Sequence, residues 1–476
     1  MQMRIMNFTL SNKNTSFSFT IFYKMKKTLL ISLIALLLAS CKNNGNGELV
    51  GVAGRRSFYQ PDPYGMVSIP TGSYTMGVGD EDIEYSHLNP ARTITISPFF
   101  MDETEITNNE YRQFVFWVRD SITRKLLGQM KPEFLIKNNK KTGEVYDQPV
   151  INWDTKINGK DPNLKKSLEP MYLPKNERYF GKKEIDTRKL FYEYYFVDLI
   201  AAAKKSYTGA YESKYAGFAN RPQGMKDRSV YVHKDVINVY PDTLCWLHDY
   251  AYSYNEPIAQ RYFWHPSYDN YPVVGVNWKQ ATAFCIWRTR LYESHITSKR
   301  IAMPSEFRLP SEAEWEWAAK GGNSLSAYPW GGPYTTTDKG CYLANFKPLR
   351  GNYTVDGFAR TAIVGHYPAN DFGLYDMAGN VAEWCADAWD ESASQFTWDM
   401  NPGYQFNAKE SDKPNFKRKV IRGGSWKDIA YYIRTSTRSY EYQDSAKSYI
   451  GFRCVQDVMG QHKKESKSGK SSRVYN

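Results

Sequence analysis

Asn370-Asp-Phe-Gly-Leu-Tyr-Asp-Met-Ala-Gly-Asn-Val-Ala-Glu-Trp-Cys385 packs glycines, aromatic rings and acidic oxygens too densely for an ordinary strand or helix. It reads as a folded, oxygen-rich turn. Gly373 and Gly379 permit positive φ or a close backbone approach. Phe372, Leu374, Tyr375, Met377 and Trp384 supply the apolar surface that buries such a loop against a core. Asp376 and Glu383, on either side of Gly379, place two carboxylates where they can share a hard cation such as calcium. Carboxylates in a Gly-rich turn also simply cap backbone N–H groups, and spacing leaves both readings open.

Outward from this loop, three helix starts are written as capping motifs. Ser311-Glu312-Ala313-Glu314 opens a short helix through Trp315 and Trp317 that Gly321-Gly322 end, Asn277 with Gln280 opens another, and Thr107 with Glu110 a third. After Thr107, Tyr111, Phe114, Val115 and Val118 recur on one helical face. Short strands are expected in Thr71–Gly77, Thr93–Ile96 and around Val273–Val276. Between about 120 and 270 the pattern gives way to Tyr-, Lys- and Asp-rich sequence, too long for a structureless loop and so expected to be ordered. Tyr192, Tyr194, Tyr195 and Phe196 within it suit either a core or an interface.

These blocks, with Met76-Gly77, Tyr328–Gly331, Arg422–Trp426 and Gly451–Arg453 in the same order, resemble the formylglycine-generating enzyme (sulfatase-modifying factor) domain. The resemblance spans residues 64–459, with the 120–270 stretch as an insertion. It implies an α+β, C-type-lectin-related fold with low regular secondary structure. It implies a Cys285–Cys454 disulfide and two structural calcium sites. One site would use the Asn345 side chain, the Phe346 carbonyl, the Asp356 carboxylate and the Phe358 carbonyl; the other would use Asp376, Glu383 and the carbonyls of Gly379 and Val381. Active members of the family hold copper between two cysteines shortly after Arg-Gly-Gly-Ser. Here Arg422–Arg434 contains none, so soft thiolate ligation, copper and formylglycine chemistry are not expected. The histidines are scattered without metal-ligand spacing, which argues against an iron-dependent variant.

Met25-Lys26-Lys27 and the apolar run Leu29–Ala39 read as a signal peptide over residues 1–40, with translation starting at Met25. The run is too short to span a bilayer. Leu38-Ala39-Ser40-Cys41 resembles a lipobox, making Cys41 the lipidated residue, followed by a linker over 41–63 and pointing to a lipid-anchored protein on the periplasmic face of the outer membrane. The segment before Cys41 carries five basic residues and no acid, so the formal +12 becomes +7 once it is removed. Much of the remainder sits in a basic tail, residues 460–476, of disordered composition. That tail suits anionic lipid or peptidoglycan, and nothing in the charge pattern asks for nucleic acid. A mean hydropathy of −0.61 excludes several membrane spans.

Within the family, the lipobox, Gly47–Val52, Met101–Asn108, the insertion and the missing cysteines together resemble the GldK/PorK-type lipoproteins of the type IX secretion and gliding machinery in Bacteroidetes. The related GldJ type shares the domain. That resemblance implies a non-catalytic homo-oligomeric ring built with a GldN/PorN-type periplasmic partner, with the insertion as first candidate for the contact. Two alternatives remain: a calcium-dependent glycan or peptidoglycan binder, and a formylglycine-generating-type oxidase using other ligands.

Overall fold

Strands β1 (Met66–Ile69), β4 (Phe99–Asp102), β14 (Val455–Asp457) and β9 (Phe307–Arg308) form an antiparallel sheet in the order β1-β4-β14-β9. The first and last strands described are thus joined through β4, which is buried along its whole length. This geometry comes from a computed structural model that describes residues 58, 60–77, 90–138, 143–157, 161–203, 229–250, 252, 255–299, 302–350, 352–355 and 357–460. The signal segment, Cys41, Asp356 and the basic tail beyond Gly460 lie outside the described residues.

β2 (Gly72–Met76) and β3 (Arg92–Ile96) pair antiparallel, and a second four-stranded sheet has the order β12-β11-β10-β13, built from β10 (Ala382–Ala388), β11 (Arg418–Arg422), β12 (Ser439–Tyr442) and β13 (Ile450–Gly451). Its central strand β10 is the continuation of the Asn370–Cys385 loop. Because side chains alternate along a strand, Trp384 enters one buried cluster, with Phe284 and Phe452, while Cys385 enters another, with Trp315 and Leu374. The strand that leaves the loop is therefore covered on both faces.

Helices α1 (Asn108–Met130), α2 (Trp278–Ser298) and α3 (Glu312–Lys320) each begin with the reciprocal capping box expected from the sequence. Gly321 ends α3 in the left-handed region at φ 59°, as a helix-terminating glycine does. Helix α1 runs past Asp120, where the expected pattern stops, because Ser121 and Leu127 remain buried on its inner face.

The 120–270 stretch is ordered where it is described. It holds hairpin β5–β6 (Leu135–Asn138, Val145–Ile151) and hairpin β7–β8 (Phe191–Val197, Val232–Asn238), the latter paired without a break from Phe191↔Asn238 to Val197↔Val232. Strand alternation divides the tyrosine cluster. Tyr192 and Tyr194 are buried, Tyr192 with its ring 5.3 Å from Phe114 of α1, whereas Phe191 and Tyr195 stay about half exposed. Among the described residues no helix is long and apolar enough to cross a membrane.

Candidate functional site

The Asn370–Cys385 loop closes on itself through one asparagine. The Asn370 amide donates to the carbonyls of Ala318 (2.7 Å) and Ala319 at the end of α3, and its side-chain oxygen accepts from the N–H groups of Phe372 and Leu374. Gly379 has φ +76°, and a Cβ there would lie 2.3 Å from the Asn345 carbonyl oxygen. Asn380, also left-handed at φ 56°, donates its N–H to that same carbonyl at 2.7 Å. The loop is thus clamped to the Asn345 segment by backbone contact that a side chain at 379 would block.

Below the clamp lies a buried ionic network. Arg453 donates to both oxygens of Glu383 (2.9 and 2.8 Å through Nε) and to the carbonyls of Asp102, Glu103 and Tyr375. Trp315 Nε1 adds a third donor to Glu383 at 2.8 Å. Glu105, fully buried, accepts from the Asn380 amide (2.7 Å) and the Val381 N–H (3.1 Å). Asp376 accepts from the Gly365 N–H through Oδ2, while its buried Oδ1 has no partner among the described residues. Burial, followed by the charge of Asp376, holds the Glu105 carboxyl well above the usual carboxylate range. Burial also raises Asp376, to about 6.

The Arg422–Arg434 stretch forms a tight turn beside this network. Gly423 and Gly424 have φ of 88° and 64°. A Cβ on Gly424 would meet the Tyr432 carbonyl oxygen at 2.6 Å. Asp428 accepts from the Ser425 N–H (3.0 Å) and hydroxyl (2.6 Å), closing the turn, and Trp426 N–H donates to the Asn380 carbonyl at 2.9 Å. Ile433 is fully buried. Arg422 is buried too, paired with Glu316 and donating to the Ser436 and Thr437 carbonyls. A cavity of about 300 Å³ opens here, lined among others by Gly424, Lys427, Asp428, Tyr432, Tyr440 and Tyr449.

The sulfatase-modifying factor enzyme 1-like domain matches residues 56–157 and 208–458. The chain belongs to this family. It is 25% identical over 411 residues to the formylglycine-generating enzyme of Bos taurus, covering 83% of this chain and 75% of that one. It is 34% identical over 191 residues to the inactive C-alpha-formylglycine-generating enzyme 2 of the same organism, covering 39% of this chain and 50% of the relative. Among solved structures, PvdO from Pseudomonas aeruginosa aligns with a TM-score of 0.42 at 16% identity, covering 85% of this chain and all of that one. The family match leaves out residues 158–207, inside the 120–270 stretch.

Among the described residues that line the 300 Å³ cavity there is no cysteine or histidine, the side chains that give Cu(I) its softer donors. The described cysteines lie elsewhere: Cys245 and Cys385 are buried, their thiols pushed well up by burial, and Cys341 is exposed.

The calcium ligand sets fit only in part. Asp376 keeps a buried oxygen without a hydrogen-bond partner among the described residues, the one feature of the second set that suits a hard cation. Glu383 does not. Read as a second carboxylate on the same ion, it is instead neutralised by Arg453 and hydrogen-bonded by Trp315, so its oxygens are already occupied. Glu105, a buried carboxylate whose pKa the Asp376 charge helps to raise, was not among the residues the sequence singled out. In the other set, Asn345 donates through Nδ2 to the Arg360 carbonyl (2.9 Å) and to Asn380 Oδ1 (3.2 Å). Phe346 is buried, and Phe358 packs edge-on to His366 at 4.8 Å.

Cys285 of α2 and Cys454 beside β14 lie side by side, Sγ to Sγ 3.4 Å, both buried and unbonded. In an oxidising compartment this pair is expected to close. Non-reducing peptide mapping of protein from its native source should then recover a Cys285–Cys454 peptide. Cys454→Ser should then lower stability by about 2–5 kcal/mol relative to the oxidised protein; two free thiols at these positions in native material would overturn the pairing.

Proposed function

We propose that this chain is a non-catalytic outer-membrane lipoprotein serving as a structural ring subunit of the type IX secretion and gliding machinery, assembled with a GldN/PorN-type periplasmic partner. The observation that carries the non-catalytic part is the Arg422–Arg434 turn. It carries no cysteine, its carboxylate Asp428 is taken up by Ser425, and Ile433 is buried. The family holds a relative named as inactive beside relatives named as formylglycine-generating enzymes, so a non-catalytic member has precedent in it. With no oxidative chemistry available, surface is the functional feature, and an acyl anchor at Cys41 would fix that surface to one membrane. Head-to-tail contacts between copies close into rings when the rotation permits. The exposed faces of hairpins β5–β6 and β7–β8, with Val145, Phe191, Tyr195 and Val197, offer apolar area for such a contact.

The test is to tag the C-terminus, extract native outer membrane in mild detergent, size the purified material and identify what accompanies it. A very large, ring-shaped particle containing a second periplasmic protein in fixed ratio is expected. A monodisperse monomer without partners would overturn the scaffold reading. The calcium-dependent glycan or peptidoglycan binder has one observation in its favour, the unpartnered Asp376 oxygen. It predicts glycan binding that a chelator abolishes. Oxygen-dependent turnover of a cysteine peptide on addition of copper would support the oxidase instead.

A further inference from the structure

Trp398 is 85% exposed and Met400 65%, more than any other tryptophan or methionine among the described residues. The segment that carries them is held by ordered backbone. Thr95 of β3 donates its N–H to the Asp399 carbonyl and accepts from the Asn401 N–H, both at 2.8 Å, and Met400 pairs parallel with Thr95. Arg92 fixes the start of the segment, donating to the Ser394 (2.9 Å) and Thr397 (3.2 Å) carbonyls and to the Thr397 hydroxyl (2.7 Å). With Thr397 turned to Arg92, alternation along an extended chain sends Trp398 and Met400 to the other side. Phe396, half exposed, precedes them. A contiguous apolar row held outward in this way marks an interaction surface, whereas single exposed side chains do not.

Three hydrogen bonds lead from this edge to both ends of the described domain. Asn401 Oδ1 accepts from the Ser97 N–H (2.8 Å), the Pro98 carbonyl from the Val458 N–H (3.3 Å) and Gln60 Oε1 from the Met459 N–H (2.8 Å). The chain therefore enters and leaves the domain at the corner where the apolar row stands. Cys41 lies 19 residues before Gln60, a tether of at most roughly 65 Å. After Gly460 the sequence carries Lys463, Lys464, Lys467, Lys470 and Arg473 against Glu465. Basic residues are attracted to anionic lipid, and a tryptophan ring favours the boundary between headgroups and acyl chains. Asp399, exposed within the row, opposes that attraction, with Arg92 Nη1 3.9 Å from its carboxylate. A protein partner would be served by apolar area anywhere on the domain. The meeting of the row, the anchored end and the basic end at one corner favours a bilayer.

We propose that the 396–400 edge is the membrane-facing surface of the domain, with Trp398 and Met400 seated at the headgroup boundary of an anionic phospholipid bilayer. The proposal rests on the Cys41 anchor put forward above. An acyl anchor on a linker leaves the domain free to rotate, and this contact sets its orientation.

The experiment reconstitutes the full chain, purified from its native source in detergent, into vesicles of phosphatidylethanolamine and phosphatidylglycerol, with and without phospholipid brominated near the headgroup end of its acyl chains. Tryptophan emission should be quenched in the brominated vesicles. Trp398→Phe, at an exposed position, should remove at least half of that quenching while the thermal midpoint stays at its wild-type value. Replacing phosphatidylglycerol by phosphatidylcholine should reduce it at least twofold. Quenching that survives Trp398→Phe, or that is the same without phosphatidylglycerol, would overturn the assignment. A Trp398 left unquenched in vesicles but shielded from radical footprinting in native cells would give the row to a protein partner instead. Mass spectrometry of the Cys41 peptide reads the anchor separately. Acylated protein with an unquenched Trp398 overturns the surface and leaves the anchor standing. Unacylated protein overturns the anchor, and quenching of the chain added to preformed vesicles then still decides the surface.

Discussion

Arg453→Ala is expected to lower the unfolding free energy by about 3–5 kcal/mol, the range for removing one partner of a buried ion pair. Arg453 and Glu383 are at most 1% exposed. The substitution strands a carboxylate and also takes donors from the carbonyls of Asp102, Glu103 and Tyr375, which tie β4 and the central loop to β14. Against a typical total of about 5–15 kcal/mol, that loss is a large fraction of what holds the domain together. A urea titration followed by tryptophan fluorescence measures it. Adding Glu383→Gln to Arg453→Ala removes the stranded charge and keeps an acceptor for Trp315, so the double variant should recover part of the loss. A single variant with a wild-type midpoint would show that the pair contributes nothing.

Lys419→Met is expected to change the pH dependence of stability more than its value at any one pH. Lys419 is fully buried in β11, its Nζ donating to the Phe406 carbonyl at 2.8 Å and lying 3.7 Å from the Trp278 ring centroid. Burial lowers its pKa from 10.5 to about 7, against the opposing charge of Asp387. Between those values the unfolded chain binds a proton that the native state does not, so stability rises with pH across this window. At about 1.36 kcal/mol per pKa unit the rise is roughly 5 kcal/mol, reduced by the attraction of the Trp278 face for the ammonium. The methionine variant lacks this slope but leaves the Phe406 carbonyl without its donor, a cost of about 1–3 kcal/mol at every pH. The two stability curves should therefore cross, the variant being the more stable near pH 7 and the less stable near pH 10. Parallel curves in urea titrations across that range would sink the argument.

Local rules carried far in this chain. Each capping box fixes a helix start within four residues, and the glycines of the 370–385 loop fix where the backbone must turn left-handed, so α1, α2, α3 and the loop were legible from neighbours along the sequence. The composition after Arg422-Gly423-Gly424-Ser425 is local in the same way: a stretch without cysteine contributes no thiolate in any conformation. What the sequence left open was every choice of partner across the fold. Asp376 and Glu383 are close in sequence, yet Glu383 pairs with Arg453 because β10 lies against β13 and the Phe452–Cys454 segment follows it. Glu105 reaches Asn380 across a separation of 275 residues. The division of the tyrosine cluster between core and surface waited on which face of hairpin β7–β8 met α1. The surface around Trp389, Phe406 and Phe416 likewise follows from how β10 and β11 pair, with a register shift between Trp384 and Ala388. Charge neutralisation and concavity depend on distances in space, and the tertiary packing alone sets those distances.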